Sequence, residues 1–97
     1  MTDMRKLEKV IRDVLKERFG NVKFDTIDIK RDYDADGDEI LRILVVVEDA
    51  VKRLDASRAS TVQRYMRPKL ADIQETAFPV ISYVSRSDYR KQKAAAA

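Results

Sequence analysis

Between Glu39 and Glu48 the chain reads Ile-Leu-Arg-Ile-Leu-Val-Val-Val, and no other segment constrains the fold as much. Its β-branched residues favour an extended backbone. Successive side chains of a strand point to opposite faces. Leu41, Ile43, Val45 and Val47 therefore line one face, and Ile40, Leu44 and Val46 the other, broken only by Arg42. A strand with one wet face alternates apolar and polar residues. This one does not, so residues 39–48 are expected as a central strand with both faces at least partly covered.

The rest of the chain supplies its neighbours. Residues 3–19 read as a helix, because Met4, Leu7, Ile11, Val14 and Leu15 recur at helical spacing. Asp3 or Thr2 can cap its start, and Gly20-Asn21 is a left-handed stop. Residues 22–31 read as a strand whose apolar phase slips: Val22 and Phe24 point one way, Ile27 and Ile29 the other. A bulge near Asp25-Thr26 reconciles the two halves. Residues 56–76 read as a long helix after an Asp55 cap, with Ala59, Val62, Met66, Leu70, Ile73 and Ala77 on one stripe. Pro68 falls on the opposite side of that wheel and predicts a kink, with a break into two short helices as the alternative. Phe78–Ser85 reads as a third strand with Pro79 near its start. Ser87 can cap a short basic helix that runs into the alanine tail, residues 87–97.

The order α-β-β-α-β-(α) predicts an α+β two-layer sandwich: a three-stranded, mainly antiparallel sheet with two long helices on one face. Ninety-seven residues make a single domain, 1–97. The other sheet face, with Ile40, Arg42, Leu44 and Val46 and with Ile81 or Tyr83 beside them, is then left to a second copy, a protein partner or the C-terminal helix. No apolar run is long enough to span a bilayer, and no secretory core follows Met1. The chain is expected to be soluble and cytoplasmic.

The composition removes whole classes of chemistry. There is no cysteine and no histidine. Disulfides, thiolate nucleophiles, thiolate metal sites and histidine-based triads are excluded. With only Gly20 and Gly37, no glycine-rich phosphate loop can be written. Catalysis would fall to carboxylates with Lys or Tyr, and nothing in the sequence supplies the cleft they need. The chain is not expected to be an enzyme.

Two charged constellations stand out. The segment 32–39, Asp-Tyr-Asp-Ala-Asp-Gly-Asp-Glu, joins the first two strands as an acidic hairpin turn. Asp32, Asp34, Asp36, Asp38 and Glu39 crowd oxygens that suit a hard cation, and Ca²⁺ is the candidate cofactor, with a solvated turn as the alternative. The run Asp32, Asp34, Asp36, Gly37 partly resembles the calcium loop of EF-hand proteins. It departs from that loop at Ile43, where the closing bidentate glutamate belongs, and in its flanking strands. The second constellation is basic: Arg64, Arg67 and Lys69 on the long helix, and Arg86, Arg90 and Lys91 at the end. Such side chains can neutralise phosphates. The element order is similar to that of type II KH domains, which bind RNA, and to that of BolA-like proteins. The GXXG loop of the first and the His and Cys residues of the second have no counterpart here. The sequence therefore predicts a small interaction module that dimerises or docks a protein partner through an apolar sheet face. An accessory nucleic-acid-binding domain and a weak calcium hairpin are the alternatives.

Overall fold

In the computed structural model, which describes residues 3–20, 22–48 and 54–96, the elements follow in the order α1 (Met4–Phe19), β1 (Phe24–Tyr33), β2 (Glu39–Val47), α2 (Ala56–Asp72), β3 (Phe78–Ser85) and α3 (Arg86–Ala96). Thr2, the alternative cap, and Asn21 of the expected stop lie outside the described residues. The sheet has the order β1-β2-β3, so the most apolar strand is the central one, as its two-sided pattern requires. β1 and β2 pair antiparallel, whereas β3 runs parallel to β2. The sheet is thus mixed rather than mainly antiparallel, because α2 carries the chain back across the sheet before β3 begins.

α1 and α2 cover one face. Leu7, Ile11, Val14, Leu15 and Phe19 of α1 are buried, as are Val62, Met66 and Leu70 of α2. They pack on Leu41, Ile43, Val45 and Val47, each between 0 and 2 % exposed. Full burial of one such side chain contributes roughly 1.5–3 kcal/mol. Met4, although in phase with the α1 stripe, lies before the packed stretch and stays 46 % exposed.

The β1 slip is a bulge. Phe24 pairs with Val47 and Thr26 with Val46, which leaves Asp25 as the extra residue. That insertion returns Phe24, Ile27 and Ile29 to the same side, where all three meet the core.

α2 continues through Pro68 as one helix. It ends at Asp72, four residues before the expected stop. The Gln74 N–H donates to the Ala71 carbonyl and the Glu75 N–H to the Leu70 carbonyl, both at 2.9 Å. Gln74 takes a φ of 63°, so a left-handed residue closes the helix without a glycine to announce it.

The second sheet face is partly covered from the C-terminus. The Ser85 hydroxyl, not Ser87, accepts from the Asp88 N–H and starts α3. Arg86 donates to Glu48 at 2.6 Å and to Asp25 at 3.4 Å. The Tyr89 hydroxyl donates to Asp28 at 2.6 Å. These contacts hold α3 against the face opposite α1 and α2, and Val46 and Val84 are buried there, at 0 and 8 % exposure. Ile81 and Tyr83 are not on this face. They pack against the helix-side core, since the β3 register sets them beside Ile43 and Val45. Among the described residues no helix is long and apolar enough to cross a membrane.

Candidate functional site

The five carboxylates of the hairpin go to different places. Asp34 Oδ1 accepts from the main-chain N–H groups of Asp36 (3.0 Å) and Asp38 (2.9 Å). The Gly37 N–H reaches the Asp34 carbonyl, and Gly37 takes a φ of 85°. This is a three-residue hairpin loop, in which glycine serves the left-handed position. Asp32 turns to Arg42 across the strands, at 2.7 Å. That bond, then the Tyr33 N–H, holds the Asp32 carboxyl below the usual range. Glu39 turns to Arg31, at 2.8 Å. Asp36 and Asp38 remain exposed at the tip. Three of the five thus have protein partners, and no three carboxylates converge among the described residues.

The structure separates the expected partner-binding residues. Val46 lies beneath α3 and Ile40 is 5 % exposed. Only Arg42 and the half-buried Leu44 reach solvent. With Asp28, Lys30, Val80 and Ser82 they line a shallow groove of about 270 Å³ on the part of the face left uncovered.

The six basic residues are divided too. Arg86 is spent on Glu48 and Asp25. Arg90 and Lys91 are exposed on α3, on one side of the sheet, and Lys69 on α2, on the other. Arg64 and Arg67 line a groove of about 710 Å³ between α2 and the start of β3, together with Gln63, Leu70 and Phe78. The Arg67 guanidinium stacks over the Phe78 ring at 5.1 Å. Neither arginine has a carboxylate partner among the described residues.

That groove runs beside the outer edge of β3, which no other strand pairs among the described residues, and the ladder fixes the direction of the main-chain groups there. The Asp34 N–H donates to the Asp38 carbonyl at 2.9 Å. Bonded pairs in an antiparallel ladder recur at every second residue. Asp32–Ile40, Lys30–Arg42 and Asp28–Leu44 are therefore the bonded pairs of β1 and β2. The main-chain groups of Leu41, Ile43 and Val45 consequently face β3. Leu41 stands opposite Pro79, and a residue in a parallel ladder bonds the two flanking its partner. Phe78, Val80, Ser82 and Val84 thus turn their main chain inward. Pro79, Ile81, Tyr83 and Ser85 turn theirs to the free edge, and Pro79 lacks only a donor the ladder does not use.

The two edges of the sheet differ in kind. β1 carries Asp25, Asp28, Lys30, Arg31 and Asp32 and is bulged, devices that block pairing with another strand. β3 carries no charged residue from Phe78 to Ser85. Phe78 and Val80 are 43 and 37 % exposed. Sequence reasoning, drawn to the hairpin carboxylates, passed over these two residues. The charge-free run of eight was visible, but only the strand order makes it an edge.

Comparison of the chain with protein-family models, with curated proteins and with solved structures found no match.

Proposed function

We propose that this chain is a small, non-enzymatic, cytoplasmic protein-interaction module that pairs a partner polypeptide along the free edge of β3. The asymmetry between the two edges carries this reading. One edge is charged and bulged; the other is uncharged, exposes Phe78 and Val80, and directs the N–H groups of Ile81, Tyr83 and Ser85 outward. Strand addition draws its affinity from such main-chain donors and acceptors, and its selectivity from the flanking side chains. Leu44 and Arg42, on the face next to Val80, extend the contact surface.

A random peptide library selected on the immobilised protein tests the proposal, with amide exchange as the readout. Selected peptides are expected to slow exchange at Ile81 and Tyr83 and to leave β1 unchanged. Failure to enrich any peptide, or protection confined to β1 or α1, refutes it.

A further inference from the structure

We infer that the partner strand is an acidic one: an extended segment of another protein whose carboxylates alternate with apolar residues. The inference rests on the β3-edge reading above and names the chemistry of its occupant. A strand added to β3 sends alternate side chains to the two faces of the sheet. On the helix side they meet the groove whose cations, Arg64 and Arg67, have no carboxylate among the described residues. Glu75 also lines this groove, but it is 6 % exposed and its carboxylate is engaged by Arg31 and the Ala77 N–H. The groove therefore presents positive charge to an incoming strand. Arg67 lies over the Phe78 ring, 5.1 Å from its centroid, and its exposed guanidinium can grip a carboxylate with two N–H groups. On the other side the added strand lies next to Val80 and Ser82, which favour apolar or small residues.

A second copy of this chain fits less well. A two-fold axis through β3 would bring α2 of each copy to the same side, with Arg64 and Arg67 facing their own counterparts. Like charges so placed oppose association. A nucleic acid would meet the arginines but leave the outward N–H groups of Ile81 and Tyr83 without strand partners.

The test uses the full chain and three capped octapeptides, in which valine alternates with glutamate, serine or lysine. The glutamate peptide is expected to bind, to protect the Ile81 and Tyr83 amides, and to weaken roughly tenfold or more in the Arg64→Glu/Arg67→Glu variant. Its affinity should also fall between about 0.05 M and about 0.5 M salt. Both arginines are exposed, and circular dichroism checks the fold of the variant; Arg64→Ser alone serves as a milder second form.

Equal binding of all three peptides with the same protection overturns the acidic class and leaves the edge reading standing. Dimerisation of the chain that protects the same amides, with no peptide bound, assigns the edge to a second copy and also overturns the inference. Binding of a single-stranded oligonucleotide through Arg64 and Arg67, without amide protection and without peptide binding, moves these residues to phosphate contact. No protection at Ile81 or Tyr83 under any condition removes the edge reading itself.

Discussion

Two single residues sit in conformations or surroundings that their chemistry does not favour. Gln74 holds a φ of 63°, a region that costs an L-residue roughly 1–2 kcal/mol and glycine almost nothing. Gln74→Gly is therefore expected to stabilise the fold by about 0.5–1 kcal/mol, after glycine's greater loss of chain entropy, and a urea titration would show it. An unchanged or lower midpoint would mean that the Gln74 side chain carries something the turn needs. Tyr83 packs edge-on against Phe19, with ring centroids 5.9 Å apart. Its buried hydroxyl finds no hydrogen-bond partner among the described residues. Burial pushes the Tyr83 phenol up to about 12, against an ordinary value of 10.0. Between those values the folded state holds a proton that the unfolded state releases, so stability is intact below the lower value and declines as pH rises towards the upper. Tyr83→Phe removes the orphaned hydroxyl and this decline together. Its stability relative to the parent should be equal or higher near pH 8 and should grow further near pH 11; a constant difference would contradict the assignment. At the acid end, Asp32 and Asp55 are held low, by the Arg42 guanidinium and by the N–H of Arg58 respectively. Their contribution is present above the ordinary carboxylate value and is lost as pH falls through the depressed one.

At the scale of elements, the Arg31–Glu75 ion pair ties the loop between α2 and β3 to β1. Arg31 grips Glu75 with two bonds, at 2.6 and 3.2 Å, and Glu75 is almost fully buried. The bond to Glu75 raises the Arg31 pKa, so the guanidinium stays charged at any working pH. Removing Glu75 takes from Arg31 the partner reached by two of its bonds and leaves it Glu39, at 2.8 Å. Glu75→Leu is expected to cost about 1–3 kcal/mol, whereas Arg31→Met with Glu75→Leu should recover part of it. Equal losses in single and double variants would show that packing, not charge, holds the loop. No periodicity reveals such a pair: Arg31 and Glu75 are 44 residues apart, and each reads as an ordinary charged position. The elements themselves were legible because each has a local cause. The two-sided pattern of residues 40–47 requires a central strand, and the phase slip at Asp25 requires a bulge. The end of α2 was not legible, because its stop is a glutamine in a glycine's conformation. The parallel direction of β3 and its open edge depend on where the crossover lands, which is a property of the assembled layers rather than of any segment. Arg64 and Arg67 could be read as exposed cations, but not as neighbours of an uncharged strand.

The whole molecule is polarised in space. α1 and α2 together carry ten basic and four acidic residues, while the hairpin tip is acidic, so one surface attracts what the other repels. The hairpin tip extends from one end of the sheet, and α3 decides how much of the sheet's second face is seen. From Arg86 to Lys93 the only ring or aliphatic side chain of α3 is Tyr89, and among the described residues the helix is attached by Arg86 to Glu48 and Asp25 and by Tyr89 to Asp28. Exposed ion pairs of this kind contribute little each. What α3 does achieve is the burial of Val46 and Val84, which would otherwise join Leu44 and Val80 in one apolar strip. A chain ending at Ser85 is therefore expected to bind a hydrophobic dye and to self-associate in light scattering, at concentrations where the full chain does neither. Tyr89→Phe, which loses only the bond to Asp28, should stay as dispersed as the parent. If the shortened chain remains monomeric and dark to the dye, α3 is not what keeps this face from solvent, and the burial of Val46 has another source.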